Sequence, residues 1–228
     1  MQANRLTSTL ATLLDNSTHG EDTFLVKDLG DNAYLDAVMD GVTSHGGEEA
    51  SRSVAEALEA ASVASPEDVI AVLNEQNEEF YQVGGGRFLL TTASVVLYLG
   101  GQVSVISAGD SPVFHIKADS FEQLSGRVGG ILRMGTAQAI GASQGLPLHR
   151  AEAVVEPGDW IVVASDGVTD NLKPGELVDL IRAAGSPEAA SIKIKATIDE
   201  RLSQGITPEL LGGRFRHDDQ TAIFRLFG

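Results

Sequence analysis

Two pairs of helix-like segments interrupt the strand-like segments of this 228-residue chain, and this order limits its fold more than any other feature. The pairs, 48–61 with 66–81 and 174–184 with 187–202, have the residue patterns of amphipathic helices. The strand-like segments are 6–13, 23–26, 33–39, 92–99, 102–107, 112–116, 151–155, 160–164 and 220–227. This order predicts an α+β fold with four layers, α-β-β-α, in which helix pairs flank two stacked antiparallel sheets.

We expect a single domain over residues 1–228, because the chain has no internal repeat, low-complexity tract or long linker. No apolar run approaches the roughly 18 residues that span a bilayer. The N-terminal segment predicts a strand rather than a signal peptide. A cytoplasmic protein without a membrane partner is therefore expected.

The composition excludes several classes of function. Because the chain has no cysteine, it has no disulfide, no thiolate zinc site and no cysteine nucleophile. The formal net charge of −16 argues against nucleic acid or an anionic membrane as a partner, since both need a basic surface.

Four aspartates lie at the ends of apolar, strand-like segments, and they are Asp40, Asp110, Asp166 and Asp218. A carboxylate in apolar surroundings is costly unless a cation accompanies it. Four carboxylates gathered together repel strongly unless divalent ions neutralise them. An aspartate-glycine pair is often only a turn signal, but four sites at strand ends favour a metal centre.

Oxygen donors without cysteine or histidine favour magnesium or manganese over zinc. Gly41 follows Asp40 directly and permits a tight turn, so that the Gly41 carbonyl can also face an ion.

Seven short motifs occur in order along the chain: GED (20–22), DGVTSHGGEEAS (40–51), TTASVVLY (91–98), ISAGDSPVF (106–114), AIGA (139–142), VVASDGVTDNL (162–172) and DDQTAIF (218–224). Together they resemble the metal-dependent, type 2C-like serine/threonine phosphatases over nearly the whole chain. The resemblance implies hydrolysis of phosphoserine and phosphothreonine by metal-activated water, with two to three Mn²⁺ or Mg²⁺ ions. The terminal DDxT pattern is also similar to the stage II sporulation protein E branch, which dephosphorylates anti-sigma-factor antagonists.

The resemblance also assigns metal ligands. It implies that Asp40 bridges two ions, that the Gly41 carbonyl binds one of them, and that Asp166 and Asp218 complete the other. The last motif of the family is Asp-Asn followed by any residue and then Thr or Ser. Thr221 matches the final position of this motif, so Asp218 matches its aspartate, the metal ligand, and Asp219 matches its asparagine.

Four further carboxylates have counterparts in the family. Asp110 matches an aspartate that helps to hold a third ion. Glu21 matches a glutamate that contacts metal through water. Asp22 and Asp170 match carboxylates that orient ligands or water.

The family arginine that binds substrate phosphate is replaced here by Ser17. Phosphate binding then depends on the metals or on a replacement, for which Arg52, Arg87 and Arg133 remain open. The loss of this arginine predicts weaker binding of phosphoprotein.

His45 is the best candidate for the acid that protonates the leaving group, because it lies in the loop after Asp40. His19, beside Glu21, is a weaker candidate. The stretch 125–150, where bacterial relatives carry a flap beside the active site, is short here and contains several glycines.

Two other functions compete with a phosphatase. A serine hydrolase is suggested by the GxSxG pattern at Gly141, Ser143 and Gly145, with Asp166 and His217 following in the right order. That site needs a buried strand before the serine and a helix after it, and the sequence on either side is typical of neither. A regulatory module that binds phosphoprotein without turnover is favoured only by the missing arginine. The expected partners are a phosphoprotein substrate and a protein kinase or an anti-sigma-factor antagonist.

Overall fold

The computed structural model describes residues 6–126, 138–205 and 217–228, which form ten strands and five helices. The strands are β1 (Ser8–Asp15), β2 (Thr23–Gly30), β3 (Ala33–Met39), β4 (Ala93–Leu99), β5 (Gln102–Ala108), β6 (Val113–Ile116), β7 (Phe121–Gln123), β8 (His149–Val154), β9 (Trp160–Ala164) and β10 (Gln220–Phe227). The helices are α1 (Gly47–Ala60), α2 (Pro66–Gly84), α3 (Asp166–Thr169), α4 (Pro174–Ala184) and α5 (Pro187–Gln204).

The strands form two five-stranded antiparallel sheets. The first sheet has the order β1-β10-β9-β6-β7, and the second has the order β2-β3-β4-β5-β8. The Gly100-Gly101 pair forms a two-residue hairpin turn between β4 and β5, because Leu99 pairs with Gln102. The predicted α+β sandwich is confirmed.

Three apolar cores separate the four layers. One core lies between the sheets and includes Val38, Val96 and Ile223. A second packs α1 and α2 on the outer face of the second sheet, and a third packs α4 and α5 on the outer face of the first. Each sheet is therefore buried on both faces along its central strands, which explains their continuous apolar runs.

Local sequence signals explain the helix boundaries. The Ser65 and Asp68 side chains form a capping box at the start of α2. The Ser186 hydroxyl accepts a hydrogen bond from the backbone N–H of Ala189 at the start of α5. Gly85 ends α2 with a left-handed backbone, φ 56°. The run Gly84-Gly85-Gly86 therefore contains the end of this helix.

Two short elements were not predicted. β7 has three residues, two of them exposed, so it carries no apolar alternation. α3 begins at Asp166 itself, within a stretch that indicates a turn by its aspartate-glycine pair. Among the helices of the described residues, none combines the length and apolar character that crossing a membrane requires. The expectation of one domain over the whole chain stays a prediction.

Candidate metal centre

The fold brings the four predicted aspartates to one edge of the two sheets. Asp40 follows β3 and Asp110 follows β5; both strands run antiparallel to β4, so their C-terminal ends lie at the same edge. Asp166 follows β9 and Asp218 precedes β10, and these two strands pair antiparallel, so both residues lie at one end of that pair. The topology therefore places two aspartates on each sheet.

Asp40 lies at the centre of this group. Burial by protein atoms raises the pKa of the Asp40 carboxyl well above its ordinary value, and the nearby carboxylates of Asp166, Asp22, Asp218 and Asp110 raise it further. The residue keeps partial solvent exposure, as a carboxylate on a concave surface does. All four predicted aspartates are thus close enough to interact electrostatically.

Asp22 belongs to the same group. Burial raises the pKa of the Asp22 carboxyl to about 8, with further increases from Asp219 and Asp166, while the Thr221 and Ser165 hydroxyls oppose the change. One carboxylate oxygen, Asp22 Oδ2, is buried without a hydrogen-bond partner among the described residues. A buried carboxylate of this kind needs a proton or a cation.

The donors fit a hard divalent cation in chemical type. In their present spacing, however, no three Asp, Glu, His or Cys side chains within residues 6–126, 138–205 and 217–228 are arranged to hold a metal ion. Because like charges repel, carboxylates converge on one point only around a cation. The electrostatic need for a cation is therefore present in this group of carboxylates.

The backbone at Asp40 and Gly41 is fixed by the segment just before β4. The Asp40 carbonyl accepts hydrogen bonds from the Thr92 N–H at 2.8 Å and the Thr91 hydroxyl at 3.0 Å. The Val42 N–H donates to the Leu90 carbonyl at 2.9 Å. No hydrogen bond to the Gly41 carbonyl occurs within the described part of the chain, so this oxygen keeps its capacity as a ligand.

Close packing explains why glycine follows Asp40. A Cβ on Gly41 would lie 2.5 Å from the carbonyl carbon and oxygen of Gly47 and 2.6 Å from the Glu21 carbonyl oxygen. The first residue of α1 therefore packs directly against the proposed ligand carbonyl. Glu21 is held nearby, because its carboxylate accepts a hydrogen bond from the Thr43 hydroxyl at 2.6 Å.

The two adjacent aspartates before β10 have different roles. Asp219 is buried, and its carboxylate accepts hydrogen bonds from the backbone N–H groups of Thr18, His19 and Glu21, at 3.1, 2.9 and 2.8 Å. Asp218 lies 3.1 Å from the His19 Nδ1 and is partly exposed. Asp219 therefore holds the loop that carries Glu21. Its carboxylate is occupied by these hydrogen bonds, which favours Asp218 as the metal ligand. The holding role of Asp219 was not predicted.

Asp166 begins α3, and Ser165 alone separates it from the buried strand β9. A Cβ on the next residue, Gly167, would lie 1.9 Å from the Asp219 carbonyl oxygen. The Asn171 side chain donates to the Gly167 carbonyl at 2.7 Å and closes the turn. Only glycine permits this approach between α3 and the segment before β10.

The candidate acid His45 lies in the loop between Asp40 and α1, where its carbonyl accepts a hydrogen bond from the Leu90 N–H. Its Nδ1 is 2.6 Å from the Arg87 carbonyl oxygen. Because a carbonyl only accepts, Nδ1 carries a proton and Nε2 is the nitrogen left for chemistry. The catalytic role of His45 stays a prediction.

The three candidate phosphate-binding arginines differ in their contacts. The Arg52 guanidinium forms an ion pair with Glu48 on the exposed face of α1. Arg133 lies outside the described residues, as does much of the predicted flap segment. Arg87 is exposed and forms no ion pair within the described residues, and its loop contacts His45.

The serine hydrolase pattern lacks its structural context. Ser143 lies in an irregular loop rather than between a strand and a helix, and its hydroxyl donates to the Gly145 carbonyl at 2.7 Å. The Asn77 side chain, which was not singled out from the sequence, holds this loop: it accepts from the Gly141 N–H at 2.8 Å and donates to the Ser143 carbonyl at 3.0 Å. The GxSxG pattern therefore marks a packed loop.

A cavity of about 340 Å³ lies between the start of α2 and strands β5 and β8. Its lining includes Glu67, Arg150 and Glu152, and none of the aspartates at the sheet edge. It is not part of the candidate metal centre.

Comparison with known proteins identifies the family. Residues 34–224 match the family described as Stage II sporulation protein E (SpoIIE). No curated protein sequence matches the chain.

Several solved structures share the whole fold. PppA, a key regulatory component of the type VI secretion system (T6SS) in Pseudomonas aeruginosa, has a TM-score of 0.77 and 22% identity over 97% of this chain and 98% of its own. The catalytic domain of the serine/threonine phosphatase PstP, in complex with two manganese ions, has a TM-score of 0.73 and 18% identity over 97% and 99%. The phosphatase MsPP from Mycobacterium smegmatis, in complex with cacodylate, has a TM-score of 0.74 and 21% identity over 96% and 98%.

The matched residues include the segments around Asp40, Asp110, Asp166 and Asp218. The match covers most of the chain, and the fold agrees from end to end. This chain belongs to the stage II sporulation protein E family.

Proposed function

We propose that this chain is a metal-dependent phosphatase that hydrolyses phosphoserine and phosphothreonine in proteins. The observation that carries the proposal is the electrostatic interaction of Asp40 with Asp110, Asp166 and Asp218 at one edge of both sheets. Such a group requires divalent cations to remain ionised near neutral pH. Family membership and the shared fold support the same reading.

Asp40, the Gly41 carbonyl, Asp166 and Asp218 would hold two ions, with Asp110 contributing to a third. Mn²⁺ or Mg²⁺ at this position would supply hydroxide near neutral pH and neutralise the charge on the transferred phosphoryl group. The chain itself keeps the donors in place: Thr91 and Thr92 hold the Asp40 backbone, and Asp219 holds the Glu21 loop.

His45 is the proposed proton donor to the leaving serine or threonine oxygen. Its Nε2 can carry a second proton while Nδ1 stays bonded to the Arg87 carbonyl. His45→Gln should then lower kcat for a phosphoserine peptide, whose leaving group is basic, much more than for p-nitrophenyl phosphate. An equal loss for both substrates would remove His45 from this role.

Arg87 is the proposed replacement for the missing phosphate-binding arginine. Its guanidinium has no ion pair among the described residues, whereas Arg52 is paired with Glu48. We expect Arg87→Ala to raise the KM for p-nitrophenyl phosphate about tenfold, a change of ~1.4 kcal/mol. Arg52→Ala is the matched control and should leave KM unchanged.

A phosphoprotein is the proposed substrate, and a protein kinase or an anti-sigma-factor antagonist is the proposed partner. The family assignment supports an antagonist of this kind, and the likeness to PppA supports a regulatory setting. A cytoplasmic location also stays part of the proposal.

The direct test is Mn²⁺-dependent hydrolysis of p-nitrophenyl phosphate. We expect activity with Mn²⁺ that a chelator abolishes, and a loss of at least about 10³-fold in Asp40→Asn and Asp166→Asn. Asp199→Asn, on the exposed part of α5, controls for the general removal of a charge. Unchanged rates in the chelator and in both variants would contradict the proposal.

A further inference from the structure

Hydrogen bonds from three other segments of the chain hold Glu21. Its backbone N–H donates to the Asp219 carboxylate at 2.8 Å, and its carbonyl accepts from the Ser51 hydroxyl at 2.6 Å. Its side-chain oxygen Oε2 accepts from the Thr43 hydroxyl at 2.6 Å. Asp219 and Ser51 are both buried. Two buried side chains therefore fix the Glu21 backbone, and Thr43 restrains the Glu21 carboxylate.

The turn that carries Thr43 has a fixed conformation. The His45 N–H donates to the Val42 carbonyl at 3.0 Å, which closes a four-residue turn over residues 42–45. Leu90 joins both ends of this turn: its carbonyl accepts from the Val42 N–H at 2.9 Å, and its N–H donates to the His45 carbonyl at 3.2 Å. Within the turn, Ser44 has a left-handed backbone, with φ 68°, which a serine keeps only where its surroundings enforce it.

Glu21 packs directly against the backbone of the candidate metal centre. A Cβ on Gly41 would lie 2.6 Å from the Glu21 carbonyl oxygen, so no side chain fits between the two residues. The next residue in the chain, Asp22, interacts electrostatically with Asp40. The Thr43 hydroxyl therefore restrains a carboxylate whose backbone contacts the proposed ligand segment.

We propose that Thr43 is a positioning residue of the metal centre: its hydroxyl limits the orientations of the Glu21 carboxylate and thereby raises the affinity of the centre for Mn²⁺. A free glutamate side chain has several rotatable bonds, and ordering it on metal binding costs conformational entropy. A hydrogen bond to an ionised carboxylate is stronger than one between neutral groups, so it can order the side chain before the ion binds. The inference rests on the proposed function, because it takes the carboxylate group to be a metal centre.

The test is calorimetric titration of the chelator-treated protein with Mn²⁺. Thr43→Val keeps the shape of the side chain and removes the hydroxyl, and we expect the Kd for Mn²⁺ to rise about tenfold, as for other residues that orient ligands. The number of ions bound at saturation should stay the same. Thr43→Ser restores the hydroxyl and should bring the Kd back to within about twofold of the unaltered protein.

A double-mutant cycle shows whether Thr43 acts through Glu21. Glu21→Ala removes the carboxylate and should itself weaken Mn²⁺ binding. Thr43→Val should then add less than about a twofold change in the Glu21→Ala background, because its partner is already gone. A purely structural effect of the substitution would persist in that background.

Two controls separate positioning from folding. Thr197→Val, on α5, also removes an exposed hydroxyl that donates to a backbone carbonyl, and it should leave the Kd for Mn²⁺ unchanged. Thr43 itself is exposed. The melting temperature of metal-free Thr43→Val should therefore lie within about 2 °C of that of the unaltered protein.

Three results would overturn the inference: an unchanged Kd in Thr43→Val, an equal loss of affinity in Thr43→Ser, or the same tenfold effect of Thr43→Val with and without the Glu21 carboxylate. Failure of the unaltered protein to bind Mn²⁺ would instead refute the proposed function on which the inference depends.

Discussion

Arg225 on β10 donates two hydrogen bonds to the Asp36 carboxylate on β3, at 2.6 and 2.7 Å, across the space between the two sheets. Both side chains are only 3% exposed. The guanidinium also lies 4.3 Å from the centre of the Tyr34 ring and donates to the Ser8 hydroxyl at 2.6 Å. This ion pair joins the two strands whose ends carry Asp40 and Asp218, so it fixes one sheet relative to the other.

Removal of Arg225 should destabilise the protein strongly. Arg225→Met leaves the Asp36 carboxylate buried without its partner, and we expect the free energy of unfolding to fall by about 3–5 kcal/mol. Urea denaturation measures this change. Arg52→Met removes an exposed pair with Glu48 and should cost less than about 1 kcal/mol. Equal effects of the two substitutions would contradict a structural role for the buried pair.

The stability of the metal-free protein should depend on pH through Asp22. The pKa of the Asp22 carboxyl is about 8 in the folded state, whereas its ordinary value is 3.8. Between about pH 4 and pH 8, the folded state therefore keeps a proton on Asp22 that the unfolded state has lost. The stability from this group is therefore complete below about pH 4 and declines as pH rises towards 8. Thermal unfolding in a chelator at pH 5 to 8 measures the slope.

The matched variant for this slope is Asp22→Asn, which cannot titrate. Its melting temperature should fall less between pH 5 and pH 8 than that of the unaltered protein. Saturating Mn²⁺ should also reduce the decline, because a bound cation stabilises the ionised carboxylates. Parallel slopes for the variant and the unaltered protein would contradict this role of Asp22.

Asp219 should affect metal affinity without binding metal. In Asp219→Ala, the N–H groups of Thr18, His19 and Glu21 lose their acceptor, and the loop at Glu21 loses its position. We expect Mn²⁺ affinity, measured by calorimetry, to fall about 10–100-fold, as for other residues that orient ligands. The number of bound ions at saturation should stay the same. A loss of one ion would instead make Asp219 a ligand.

Gly47→Ala should disturb the site through packing alone. The new Cβ would lie 2.6 Å from the Gly41 carbonyl carbon and 2.8 Å from the Val42 nitrogen, so the backbone must move. We expect a large loss of Mn²⁺-dependent turnover, of at least about tenfold. Gly175→Ala, on α4 in open space, should leave activity unchanged and slightly stabilise its helix. Full activity of Gly47→Ala would contradict the close packing.

Local patterns predicted most of the fold. The four layers and the bounds of β3, β9, α4 and β10 agree with the sequence analysis, because these elements have strong apolar patterns and clear end signals. β7 was missed because three residues are too few for a pattern, and α3 was missed because its aspartate-glycine start also indicates a turn. Family and fold predictions are both confirmed.

The sequence could indicate the acidic residues of the site but not their contacts. The position of each aspartate at a strand end is local information, and the topology then brings them together. The hydrogen bonds of Asp219 to residues about 200 positions earlier are tertiary, as is the contact of His45 with Arg87, so no local pattern reports them. For the same reason, the proposal of Arg87 rather than Arg52 as the phosphate-binding arginine required the folded chain.

The central claim is that Asp40 and its neighbouring carboxylates share divalent cations. The most direct measurement is the number of Mn²⁺ ions bound per chain, determined by calorimetric titration of the chelator-treated protein. We predict at least two ions for the unaltered protein and the loss of at least one in Asp40→Asn, with Asp199→Asn unchanged. Equal binding by the unaltered protein and Asp40→Asn, or no binding by either, would contradict the account.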